Sequence, residues 1–184
     1  MKHVSNSFDV IVVGGGHAGI EAALAVSRLD KTCCVLTMDK LAVGRMSCNP
    51  AIGGQAKGQM VREIDALGGI MGLAADRSGL QFKILNRSKG KAVWSPRAQV
   101  DKRTYEQYVN AYIYSSNRIK VVVGEAVSLQ VKNNSVEGVI LRGGEKLFAR
   151  SVVLTCGTFL NGLVHVGERK IVAGRMGEIG RAHV

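Results

Sequence analysis

The chain has 184 residues, 46% of them hydrophobic and 21% charged, the balance of an ordinary folded domain and not of a disordered or fibrous chain. Its net charge of +11 favours an anionic partner, while an aromatic share of only 5% argues against base stacking as the main mode of RNA binding. No apolar run reaches membrane-spanning length, residues 1–7 are too short and polar for a secretory signal, and the four cysteines show neither CxxC nor metal-ligand spacing, so a reducing cytoplasmic compartment is expected.

The first element is an apolar run, Val10 to Val13, of the kind that forms a buried parallel strand. It breaks into Gly14-x-Gly16-x-x-Gly19 and resumes with Ile20, Ala23, Leu24 and Leu29 at helical spacing. Strand, glycine turn and helix in that order read as a dinucleotide-binding turn. Gly14 permits the tight turn, Gly16 lets main chain approach a pyrophosphate, and Gly19 allows helix and strand to pack closely. The helix start then offers N–H groups and the positive end of its dipole to phosphate.

Residues 32–37 read as the second strand, with Cys33 and Cys34 pointing to opposite faces. A dinucleotide fold places an acidic residue for the adenosine ribose near the end of this strand. The nearest acid is Asp39, a ribose candidate or a solvated loop carboxylate, so these residues do not separate FAD from NAD. Residues 44–58 hold four glycines and Pro50, a composition expected of a ligand-facing loop and not of ordinary helix or strand. Cys48 lies at its centre, either a nucleophile with a depressed pKa or a thiol packed inside the loop.

Residues 59–67 read as a helix with Met60, Ile64 and Leu67 on one face, closed by Gly68 and Gly69. Leu80, Phe82 and Ile84 alternate with Gln81 and Lys83, the pattern of a half-buried strand. A basic stretch follows, Arg87, Lys89, Lys91, Arg97, Lys102 and Arg103, which is either a solvated surface or an anion-binding face. Residues 101–116 read as a helix capped by Asp101, with Tyr105, Tyr108, Val109, Tyr112 and Ile113 as its apolar stripe. Residues 119–123 are expected to form the third parallel strand. Three short strands, 126–131, 136–141 and 146–149, then form a β-meander through turns at Asn133-Asn134 and Gly143-Gly144, and 152–155 returns as a separate buried strand.

Gly14 to Ala23, Met-Ser-Cys-Asn-Pro-Ala-Ile-Gly-Gly at 46–54, Glu63 to Gly69, Gln81 to Asn86 running into Ser88-Lys89-Gly90, Arg97 to Gln99, Leu154 to Leu160 and Ala173 to Gly177 together resemble the tRNA uridine 5-carboxymethylaminomethyl modification enzymes, the MnmG or GidA family. The segment around Cys48 separates this family from the folate-dependent tRNA methyltransferase flavoproteins, which share the glycine turn. The resemblance implies an α/β fold, an FAD/NAD(P)-binding Rossmann-like domain of glutathione-reductase type with a β-meander insertion, over residues 1–178.

It also implies a cytoplasmic FAD enzyme that adds an aminomethyl or carboxymethylaminomethyl group at C5 of the wobble uridine of tRNA. Its implied partner is the MnmE GTPase and its implied assembly a homodimer with no membrane attachment. Methylenetetrahydrofolate would be the carbon donor and NADH the reductant, the NADH site lying outside this chain. By the same resemblance Gly14, Gly15, Gly16, His17, Ala18 and Gly19 hold the FAD pyrophosphate and Val127 contacts adenine through its backbone. Cys48 is the implied catalytic thiol, because thiol addition to C6 of uracil makes C5 nucleophilic.

Family members are several times longer, and residues 179–184 depart from their pattern, so a gene fragment with an artefactual tail is expected. Two other readings stay open: an FAD- or NAD-dependent oxidoreductase acting on a small molecule, and a non-catalytic nucleotide-binding module.

Overall fold

The computed structural model describes residues 6–46, 50–160 and 162–172. In chain order the elements are β1 (Ser7–Val13), α1 (His17–Arg28), β2 (Cys33–Thr37), β3 (Ala51–Gly53), α2 (Lys57–Ala66), α3 (Met71–Ser78), β4 (Gly79–Leu85), β5 (Ser95–Val100), α4 (Lys102–Ser115), β6 (Ile119–Val123), β7 (Ala126–Lys132), β8 (Ser135–Leu141), β9 (Lys146–Leu154), β10 (Leu163–Val166) and β11 (Arg169–Val172). They divide into two compact units, one made of Met1–Ala42 with Asn117–Val184, the other of Val43–Ser116. No helix among the described residues is long and apolar enough to cross a membrane.

The first unit is a six-stranded sheet in the order β6-β2-β1-β9-β8-β7. β6, β2, β1 and β9 run parallel, and β8 and β7 extend the sheet antiparallel. Burial on both faces is why β1 and β2 read as unbroken apolar runs: Ile11, Val12, Cys33, Cys34 and Val35 have no exposed surface. Ile11, Val13, Cys34 and Leu36 share one face and pack with Ala126, Val139, Leu141, Leu147 and Ala149. The meander therefore curls back over that face, and Leu36 and Leu141 meet beside Gly124. α1 lies along β1 and β2 and buries Ile20, Ala23 and Leu24. Leu29, expected on its apolar face, caps the helix instead and stands 72% exposed. The reciprocal hydrogen bonds of Asp9 and Thr32 tie the start of β1 to the start of β2.

One expectation is corrected here. Residues 146–149 and 152–155 are not two strands but the single strand β9. Its first residues pair antiparallel with β8, and from Phe148 onward it pairs parallel with β1. Arg150 and Ser151 interrupt the apolar pattern, but they are exposed positions on a continuous ladder. The meander is thus part of the main sheet. The β10–β11 hairpin follows.

The second unit carries a three-stranded antiparallel sheet, β3-β5-β4, with α2, α3 and α4. Its core is built by Met71, Ala74 and Ala75 of α3, Tyr105, Val109 and Ile113 of α4, and Ile70 and Val100. Asp101 caps α4 as expected, its carboxylate accepting from the Thr104 N–H at 2.7 Å. Tyr112 departs from the expected stripe and is 48% exposed.

α2 ends where the two glycines predict, with Gly68 at positive φ and the Gly69 N–H on the Ile64 carbonyl. Met60 and the C-cap Leu67 are nevertheless exposed, Ile64 is half-buried, and Gly58 is the helix's only buried residue. β4 forms as expected, yet Leu80, Phe82 and Ile84 are exposed as well. The glycine-rich stretch 44–58 is not all loop: Ala51–Gly53 pairs with β5, and α2 begins at Lys57. Positive φ at Gly53, Gly54 and Ala56 joins the two elements within three residues.

Candidate dinucleotide-binding site

β1 ends at Val13, and the chain turns at Gly14, whose N–H donates to the Leu36 carbonyl at 2.8 Å. Gly14 has φ +112°, and a Cβ there would stand 2.5 Å from the main-chain oxygen of Thr155. A Cβ on Gly19 would run into the carbonyl oxygen of Gly14. Both positions thus exclude a side chain for reasons internal to the fold.

Gly16 differs: nothing lies within 4 Å of the place its Cβ would take, and the residue is exposed. It is the N-cap of α1, and its carbonyl accepts from the Ile20 N–H at 2.9 Å. As a glycine the N-cap supplies no side-chain cap, and no acidic residue occupies the first turn. Gly15 is buried, His17 half-buried and Ala18 exposed. The turn fits a diphosphate: bare main chain at Gly16 opens outward at the positive end of a twelve-residue helix.

Thr155 completes the turn. Its N–H donates to Val13 at 2.8 Å, and its hydroxyl is shared between the carbonyls of Val13 (2.9 Å) and Gly14 (3.1 Å). The sequence reading missed it. The signal was a hydroxyl residue at the end of a strand that returns beside the first one.

β1, β2 and β6 are parallel, so the chain segments leaving them gather at one end of the sheet, the usual ligand side of such folds. Asp39 lies there, two residues past β2. Its Oδ1 accepts from the Leu41 N–H at 2.8 Å, which ties one carboxylate oxygen to its own loop. Val127 lies just past β6, within β7. Ala126 pairs with Leu141 and Ser128 with Ile140, so the ladder skips Val127 at a bulge.

The structure therefore brings Gly14, Gly15, Gly16, His17, Ala18, Gly19, Asp39 and Val127 to one end of the first unit. Cys48 lies outside the described residues. On its N-terminal side Met46 is buried and donates its N–H to Glu106 at 3.1 Å. Burial pushes the thiols of Cys33 and Cys34 up to about 12, which makes both inert core residues. Burial raises Cys156 as well.

The basic stretch separates in space. Lys102 pairs with Glu106 at 3.9 Å on α4, and Lys89 and Lys91 stand exposed between β4 and β5. Arg87 and Arg97 line one open concavity in the second unit, joined by Lys83 of β4.

The family model described as glucose inhibited division protein A matches residues 9–184. The tRNA uridine 5-carboxymethylaminomethyl modification enzyme MnmG of Aquifex aeolicus (strain VF5) is 51% identical over 178 residues, covering 97% of this chain and 29% of that protein. The structure of Aquifex aeolicus GidA in its form II crystal superposes with a TM-score of 0.90 at 50% identity, over 97% of this chain and 29% of that one. The GidA-related protein of Thermus thermophilus, at 18% identity and a TM-score of 0.65, covers 96% of this chain and 65% of its own, and shows the same fold. The chain spans under a third of the length of the curated relatives it matches.

Proposed function

The chain belongs to the glucose inhibited division protein A family, and on that premise we propose that it is the FAD-binding portion of a tRNA-modifying flavoenzyme. The whole protein would add an aminomethyl or carboxymethylaminomethyl group at C5 of the wobble uridine of tRNA. It would act in the cytoplasm as a homodimer, with the MnmE GTPase as partner, methylenetetrahydrofolate as carbon donor and NADH as reductant. The observation that carries the reading is the unequal role of three glycines. Gly14 and Gly19 are filled against the fold, whereas Gly16 presents bare main chain to open space at a helix start.

Gly14, Gly15, Gly16, His17, Ala18 and Gly19 would hold the FAD diphosphate, with main-chain N–H groups and the helix dipole offsetting its charge. Val127 would offer adenine the main-chain groups that the bulge leaves out of the β7–β8 ladder. FAD, when bound, supplies two-electron redox chemistry. Cys48 is assigned addition of its thiolate to C6 of the uracil, which makes C5 nucleophilic toward the donor carbon. The C5–carbon bond forms as one bond from the donor methylene to folate breaks. Loss of the C5 proton and elimination of the thiolate restore the ring, and an amine, ammonia or glycine, displaces tetrahydrofolate from the transferred methylene. Residues 1–178 are proposed to belong to that FAD-binding domain.

The test is mass spectrometry of tRNA nucleosides from a strain lacking the gene. The modified wobble uridine is expected to disappear and to return when the full-length gene is restored. An unchanged nucleoside profile in the deletion strain would overturn the reading.

A further inference from the structure

Within the second unit, Lys83 of β4 stands directly opposite Arg97 of β5 in the antiparallel register. Like charges facing each other across such a pair destabilise it. Among the described residues neither cation has an ion-pair partner, and Arg87 likewise has none. All three line one open concavity of about 730 Å³, together with Asn86, Ser88 and Gln55, and its lining residues include no carboxylate. On its floor, Arg97 Nη1 comes within 3.9 Å of where a Cβ on Gly54 would stand. The sheet therefore concentrates positive charge in one place, and among the described residues no carboxylate lines the concavity to offset it.

We propose that this concavity is a phosphate-binding site for the RNA backbone. The inference rests on the tRNA-modifying function proposed above and adds where, within this chain, the RNA is held. Three features select a polyanion over a small phosphorylated ligand. The concavity is open, not enclosed. Positive charge continues past it through Lys89 and Lys91, both exposed. Trp94, 37% exposed, is anchored to the same segment by its indole N–H on the Arg87 carbonyl at 3.2 Å, which sets one aromatic face beside the phosphate track. The Asn86 side chain donates to the Val93 carbonyl at 3.3 Å and holds the segment closed on itself, so the cations are presented on a structured turn. A phosphate between Lys83 and Arg97 would turn their repulsion into two attractions.

The test uses the full-length, flavin-loaded protein and an RNA hairpin copying the anticodon stem and loop of a substrate tRNA. Binding is measured by fluorescence anisotropy across a series of salt concentrations. Lys83→Gln, Arg87→Gln and Arg97→Gln should each weaken binding several-fold and lower the slope of log Kd against log salt by about one. Flavin absorbance per chain should not change. Arg97→Lys should keep most of the affinity. Without RNA, Lys83→Gln should raise the melting temperature, because it removes the repulsion across the strand pair. Unchanged affinity and salt slope in the triple variant, with the unsubstituted protein binding normally, would overturn this inference alone. Loss of flavin with RNA affinity intact would overturn it in favour of a cofactor phosphate. Failure of the unsubstituted protein to bind the hairpin would overturn it together with the proposed function.

Discussion

Thr155 closes over Gly14. Its main-chain oxygen occupies the space a side chain on Gly14 would need, and its hydroxyl donates to the consecutive carbonyls of Val13 and Gly14 where the strand enters the turn. The first residue after β9 and the first after β1 are thereby locked together, although 141 positions separate them in sequence. Gly14→Ala would add overpacking to a φ that L-residues avoid, and is expected to lower stability by about 2–4 kcal/mol. Thr155→Val keeps the shape, loses the shared hydrogen bond and should lower stability by about 1 kcal/mol. Urea denaturation checks both. A Gly14→Ala protein as stable as the parent would show that the turn is not built this way.

Cys33 and Cys34 supply a second prediction. Burial holds both thiols near pKa 12 in the fold, against an ordinary value of 9.0. At pH 8 an alkylating reagent should leave both unmodified in the folded protein and label both once urea unfolds it. The linkage has a definite sign. The folded-state pKa is the higher one, so this contribution is intact below pH 9 and is lost as pH rises from there toward 12. A melting temperature that falls between pH 9 and pH 11, and falls less steeply in a Cys34→Ala variant, is expected. Rapid labelling of either thiol in the folded protein would contradict the burial.

At the acid end, Asp101 and Asp9 act in the opposite sense. Hydrogen bonds from the Thr104 hydroxyl and N–H hold the Asp101 carboxyl below its ordinary 3.8, and Thr32 does the same for Asp9 through its main-chain N–H and its hydroxyl. A depressed folded-state pKa means stability that is present above about pH 4 and is lost as pH falls through the folded value. Asp101→Asn keeps a cap for α4 and should flatten this acid dependence. Asp101→Ala removes the cap and should lower the melting temperature at neutral pH too. Thermal melts from pH 2 to pH 7 read both effects.

Local pattern carried much of this fold. The apolar runs at 10–13, 32–37 and 119–123 were enough to read three parallel strands, the first two buried on both faces and the third an edge strand, and the glycine spacing placed the turn between the first strand and helix. Long-range pairing was harder to see. β9 looked like two strands because Arg150 and Ser151 are polar, and only the partners on either side show it to be one. β5 was missed because Pro96 stands inside it. α3 was missed because Gly69 and Gly72 bracket its start and its run of eight residues is short.

Periodicity also reports which face of an element is apolar, not what lies against it. Met60 on α2 and Leu67 at its C-cap, and Leu80 and Phe82 on β4, follow the expected spacing and are still exposed. The site shows the same division. Its glycines were legible one by one, whereas Thr155 and the Lys83–Arg97 pair exist only through strand register.

The flavin content of a Gly16→Val protein tests the central claim most directly. The position is exposed and nothing lies within 4 Å of it, so a valine should leave the fold alone, with circular dichroism and melting temperature close to the parent. The same side chain would stand where main chain must approach the diphosphate, so purified full-length protein should come without its FAD absorbance. A well-folded Gly16→Val protein carrying a full complement of FAD would contradict the account.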